Sequence, residues 1–174
     1  MGFNRSLSGS FSMVVGVVCF GHYNMNNELK NRLIQWQQKA QGSHDVWVQF
    51  ILYYLIFDAY ISDMSNNGNN EKKLVWFFSN DSSLRTKAVS ILETKPCSSI
   101  ERLKELSPIR SMRPGISSEV YLNDENNLEE VFRFIYQIRC NLVHGSKDSV
   151  KSRDEELVHC ATEFLKDAID HWLE

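Results

Sequence analysis

An arginine and a histidine five positions apart stand in the segment Ile138-Arg139-Cys140-Asn141-Leu142-Val143-His144-Gly145, and their types suit one chemistry. A planar guanidinium can hold two phosphate oxygens at once. An imidazole, with an unperturbed pKa of about 6.5, can take or give a proton near neutral pH. Cutting RNA without a metal needs those two functions. The ribose 2′-OH proton is removed, the leaving 5′-oxygen is protonated, and charge on the phosphoryl oxygens is stabilised. Asn141, between them, can orient the histidine or bond a phosphate oxygen. One chain supplies a single histidine to this segment, so a separate acid and base call for a second copy, which a two-fold dimer provides.

The elements that must position these residues can be read from periodicity. Asn127 with Glu130 three residues on makes an N-terminal cap. Leu128, Val131, Phe132, Ile135, Ile138 and Leu142 then recur at helical spacing, and Gly145 is a natural stop. At about 100° per residue, Arg139 falls inside that apolar stripe, between Ile135 and Leu142. A guanidinium buried there needs an anionic partner. Five steps amount to about 500°, which leaves Arg139 and His144 roughly 140° apart on an undistorted helix. They meet only if the helix ends or loosens near His144.

A final amphipathic helix is predicted over about residues 153 to 173, with Leu157, Ala161, Phe164, Leu165, Ala168, Ile169 and Trp172 inward. Upstream, Asn26 to Ala40 carries a narrow stripe of Leu29, Leu33, Ile34 and Trp36, broken by Gly42 and Ser43. Val46 to Ile61 is apolar nearly all round, which predicts the buried centre of a bundle. Asp58 is a lone carboxylate in it and a candidate partner for Arg139, either to fix the guanidinium or as a plain buried ion pair. Short helices are predicted at 71–78, 84–93 and from the Ser98-Ser99-Ile100-Glu101 capping box to before Pro108. Residues 108–126 read as a loop with a brief strand at Glu119 to Leu122. The fold class is all-α, an up-and-down helical bundle over residues 26–174, preceded by a short irregular segment, 1–25, of unknown role.

The motif segment resembles the R-x4-H signature of HEPN domains, and IRCNLVHGSK resembles the Apea-like HEPN group in particular. The helix holding Phe57-Asp58-Ala59 is similar to that family's first core helix, where a polar residue, often Asn, takes the place of Asp58. The capped helix before the motif and the closing helix keep the same order. The resemblance spans roughly residues 45 to 173 by architecture and about ten residues by motif. It implies a homodimer with two motifs facing each other, and metal-independent cleavage of single-stranded RNA by Arg139 and His144, with no cofactor and no metal. It also implies a defence or toxin–antitoxin setting, with an antitoxin or defence-system protein as partner. Other members bind nucleic acid or nucleotide without catalysis. Many active members place Asn, Asp or His directly after the arginine, whereas this chain has Cys140 and then Asn141.

Composition bounds these readings. The chain has 174 residues and a net charge of −3, enough for one domain and without the global basicity of many nucleic-acid binders. Positive charge is local. Residues 83–115 hold seven basic residues against three acids, and residues 133–153 hold Arg133, Arg139, Lys147, Lys151 and Arg153 against Asp148. Arg133, Lys147 and Lys151 are therefore candidate RNA contacts beside the motif; the alternative is that such stretches are solvated helix faces. Cys19, Cys97, Cys140 and Cys160 form no C-x-x-C pair and no zinc spacing, which suits a reducing cytoplasm. Phe11 to Phe20 (FSMVVGVVCF), preceded by Arg5, has the length of a short signal-peptide core, but no A-x-A-like cleavage site follows it, which favours a buried strand or helix. No run reaches a membrane span, and no nucleophile elbow, phosphate-binding loop or dinucleotide fingerprint occurs. Two further readings stand beside the nuclease: a silent module binding RNA, nucleotide or a protein, and an interaction domain in which Arg139 and His144 close a buried polar network.

Overall fold

Five helices and one two-stranded ribbon make up a computed structural model that describes residues 25–65, 98–111, 118–144 and 152–173. In chain order they are α1 (Asn27–Gln41), α2 (Val46–Ser65), α3 (Ser98–Glu105), β1 (Ile109–Arg110), β2 (Glu119–Val120), α4 (Leu128–His144) and α5 (Ser152–Leu173). The all-α bundle expected from the sequence is what forms. The helices expected at 71–78 and 84–93, and the segment at 1–24, lie outside the described residues.

Local chemistry sets the helix starts. Asn26 accepts from the Glu28 amide at 3.0 Å to open α1. The Asp45 carboxylate accepts from the Trp47 and Val48 amides at 2.8 and 3.3 Å and opens α2, a cap the periodicity had not singled out. At α4, Asn127 Oδ1 accepts from the Glu129 and Glu130 amides at 3.1 and 3.4 Å. Glu130 reaches further back than a capping box requires: its carboxylate accepts from the Asn123 and Asp124 amides at 2.8 and 3.2 Å. The loop entering α4 is thereby tied to its first turn.

The core is centred on α2, which packs on α1 and α5, while α3 lies against α5 and α4 touches α5 and β1. Phe57 joins three helices. Its ring stacks on Phe132 of α4 at 4.7 Å with 7° between planes, and on Trp172 of α5 at 5.9 Å. Phe132 in turn meets Phe164 edge-on at 5.5 Å. Such offset and edge contacts add roughly 0.5–1.5 kcal/mol per pair beyond the burial of the rings themselves. Gln37 Nε2 donates to the Asp170 carboxylate at 2.6 Å and links α1 to α5.

Two expectations are corrected. Although α2 is apolar nearly all round, it is not buried all round: Val48 and Leu55, seven residues apart on one face, are 46% and 42% exposed. Residues 108–111 are not simply loop, because Ile109 pairs with Val120 and Arg110 with Glu119 in an antiparallel ribbon. The Ser107–Pro108 peptide before it is cis. Ser107 Oγ accepts from the Leu122 amide at 2.9 Å, and Arg153 Nη2 donates to the carbonyls of Leu106 and Pro108 at 2.5 and 2.8 Å. The ribbon is pinned from both sides.

Candidate functional site

Arg139 stands among the stripe positions of α4 and is half-buried. Ile135, Ile138 and Leu142 are buried, and the next positions toward solvent are Val143 and His144, both exposed. The guanidinium carbon lies 5.8 Å from the centroid of the Tyr54 ring on α2, within cation–π range. Among the described residues it makes no ion pair. The carboxylate partner expected for it is thus replaced by a ring face.

Asp58 is nevertheless nearby. It lies one turn along α2 from Tyr54, and the burial of the Tyr54 phenol, aided by the Asp58 charge, pushes its pKa well above the ordinary tyrosine range. The charge of Arg139 opposes that rise, and Tyr136 and Cys140 add smaller upward contributions. The phenol is therefore the point where both charges are felt: Tyr54 and Asp58 from α2, with Tyr136, Arg139 and Cys140 from α4. Tyr54 is the residue that sequence reading missed. Its signal was hidden because an aromatic in an apolar helix reads as core.

His144 is the last residue of α4, and the helix continues to it without interruption. A meeting within one chain calls for a helix that ends or loosens near His144; α4 ends at His144 and is regular between the two residues. At 3.6 residues per turn the two side chains leave the helix roughly 140° apart and about 7.5 Å apart along its axis. One copy of the chain therefore does not bring Arg139 and His144 together by helix geometry.

Asn141 is held by structural bonds. Its Oδ1 accepts from Gln137 Nε2 at 2.7 Å, and its Nδ2 donates to the Arg110 carbonyl at 2.9 Å. These bonds join the last turns of α4 to β1. Cys140 is buried. Arg133 is exposed and lies on another side of α4, with its guanidinium on Glu129 at 2.7 Å. Lys147 and Lys151 lie outside the described residues.

The basic stretches separate on inspection of their partners. Arg102 holds Glu105 at 2.5 Å and Glu156 at 2.6 Å, and Lys104 is paired with Glu125. The Arg102–Glu156 contact draws the Glu156 carboxyl below its ordinary pKa through a hydrogen bond to the guanidinium. Arg133 holds Glu129, and Arg153 holds two backbone carbonyls. These four cations have local partners. Arg139 differs from them in its partner, a ring face in place of a carboxylate or a carbonyl.

Elsewhere, an open pocket of about 450 Å³ lies where α2 and α5 begin, lined by Val46, Ser152, Glu155, Glu156 and His159. His159 Nε2 lies 3.6 Å from Glu163. Among the described residues no three His, Cys, Asp or Glu side chains are grouped to hold a metal ion, and no helix is long and apolar enough to cross a membrane. Comparison of the chain with protein-family models, with curated proteins and with solved structures returns no match.

Proposed function

We propose that this chain is a HEPN-like domain that cleaves single-stranded RNA without a metal, at a site completed by a second copy. The observation that carries the reading is Arg139: a half-buried guanidinium set over an aromatic ring with no carboxylate on it among the described residues. A cation in that setting has N–H donors available for an incoming anion, and a phosphodiester matches its planar fork.

In the proposed reaction the ribose 2′-oxygen attacks phosphorus while one His144 imidazole accepts its proton. The bond from phosphorus to the 5′-oxygen breaks, and a protonated His144 from the second copy delivers a proton to that oxygen. Arg139 stabilises the charge on the two non-bridging oxygens. The products are a 2′,3′-cyclic phosphate and a free 5′-hydroxyl. The exposure of His144 at the end of α4, turned away from Arg139 of its own chain, is what makes a second copy part of the proposal. A cytoplasmic location agrees with the thiol of Cys160 being free of a disulfide. The defence or toxin–antitoxin setting, with an antitoxin or defence-system protein as partner, follows from the resemblance alone.

A second reading has its own support. The divergence of Arg139 and His144, together with the bonds that Asn141 makes to Gln137 and Arg110, suits a module that binds RNA through Arg139 and does not cut it. One experiment separates the two. Purified protein in EDTA is given labelled single-stranded RNA. The nuclease reading expects fragments ending in 2′,3′-cyclic phosphate, lost in His144→Ala while its circular dichroism is retained. Binding without fragments would select the silent module, and neither binding nor cutting would refute both.

A further inference from the structure

We propose that Tyr54 is a positioning residue for Arg139, holding the guanidinium through its π face so that an anionic ligand, a phosphodiester, meets free N–H donors. The proposal rests on the reading that Arg139 grips phosphate, and adds to it the device that keeps the arginine ready.

A half-buried arginine must be held in place. A carboxylate would do so by taking up two of its five N–H donors, the same donors a phosphate needs. An aromatic face attracts the cation through its quadrupole and takes none of the paired fork. Tyr54 meets the requirements for such a platform. It is buried, 4% exposed, and its ring is fixed on both sides along α2, 6.2 Å from Phe50 and 5.9 Å from Phe57. That aromatic row is anchored by the Phe57–Phe132 stack, so the ring cannot swing away without disturbing the centre of the bundle. The Arg139 guanidinium rests 5.8 Å above it.

Asp58 is the carboxylate with which that ring contact competes. On the same face of α2, four residues along, it is close enough to act on the phenol that Arg139 also acts on. A carboxylate near a guanidinium competes with any incoming phosphate for it. By occupying the guanidinium with its ring, Tyr54 holds the arginine in a place where no carboxylate among the described residues pairs with it.

The test uses the full chain and a fluorescein-labelled single-stranded RNA carrying 2′-O-methyl groups, which can be bound but not cut. Tyr54→Leu keeps an apolar side chain and removes the π face. It should weaken RNA binding about fivefold to thirtyfold, the range for a cation–π contact of about 1–2 kcal/mol. Tyr54→Phe keeps the ring and should recover affinity to within about twofold of the starting protein. In Arg139→Gln, adding Tyr54→Leu should change affinity no further. A spectroscopic readout runs alongside: the δ-methylene protons of Arg139 should show an upfield ring-current shift, retained in Tyr54→Phe and lost in Tyr54→Leu.

Unchanged affinity in folded Tyr54→Leu, or effects of Tyr54→Leu and Arg139→Gln that simply add, would overturn the positioning role. Should Tyr54→Leu not fold, loss of the affinity in Tyr54→Phe as well would overturn it, and recovery there with the ring-current shift intact supports it. If Arg139→Gln itself binds RNA as well as the starting protein, the function proposed above fails. The ring-current shift then shows separately whether the stacking exists.

Discussion

Asn141 Nδ2 donates to the backbone carbonyl of Arg110 at 2.9 Å, thirty-one residues away in the chain. With the Gln137 amide on its other end, Asn141 links α4 to the two-stranded ribbon. The ribbon is in turn held to α5 by Arg153 and to the loop before α4 by Ser107 and Leu122. The position of the last turns of α4, and of Arg139 with them, is therefore set by contacts on the side away from Tyr54 as well.

Replacing Asn141 by Leu should lower stability by about 1–2 kcal/mol, since two side-chain hydrogen bonds of ordinary strength are lost at a partly exposed position. Urea unfolding followed by circular dichroism measures this. Hydrogen exchange should quicken in residues 109–110 and 119–120 before it quickens in α2, because the ribbon loses one of its attachments. Equal quickening throughout would mean that the bond stabilises the bundle as a whole.

Phe57→Ala should cost about 3–5 kcal/mol, at the upper end for a core aromatic. The ring is 2% exposed and stacks on side chains from two other helices, so its removal leaves a cavity that no single helix can close. Phe57→Leu should cost roughly half as much. The check is again the urea midpoint, and a loss below about 1 kcal/mol for the alanine variant would show that the core collapses into the space.

Much of this architecture was legible in the sequence because its helices are long and carry caps or stops. The predicted cap at Asn127 stands directly before the observed α4, Leu128–His144, and the last helix differs by a residue at its start. What could not be read was set by partners distant in sequence. Ile109 and Arg110 become a strand only because Val120 and Glu119 lie opposite, and two residues carry no period to detect. The site divides in the same way. Arg139 stands out as a charge on an apolar stripe, and charge alone makes Asp58 its candidate partner, whereas packing across α2 and α4 gives it the face of Tyr54. Helical periodicity also put His144 and Arg139 on different sides, and the unbroken helix keeps them there.

Stability should fall on the alkaline side. Burial, with a further push from Asp170, raises the Tyr53 phenol from 10.0 to about 12, and burial raises that of Tyr54 as well. Each phenol stays protonated in the folded chain at a pH where the unfolded chain releases its proton. The folded state then binds more protons, so unfolding free energy decreases as pH rises. The contribution of Tyr53 is whole below about pH 10 and is lost progressively as pH climbs through about 12. Urea midpoints between pH 9 and pH 11.5 measure the slope, and Tyr53→Phe should flatten it. An unchanged slope in that variant would place the alkaline loss elsewhere.

Salt dependence distinguishes a cation that meets phosphate from one that merely lies on a basic stretch. Each phosphate neutralised on a single strand contributes about 0.7 to the slope of log affinity against log salt. Arg139, set over a ring and without a carboxylate among the described residues, should carry such a contribution, so Arg139→Gln should flatten the slope by about that amount. Arg133 already holds Glu129 at 2.7 Å, and an incoming phosphate must displace that carboxylate and stand near its charge. Arg133→Gln should therefore alter the slope less than Arg139→Gln does. Binding of the uncleavable RNA at several salt concentrations measures both. A larger effect at Arg133 would move the RNA path to the exposed side of α4 and leave Arg139 with a purely structural part.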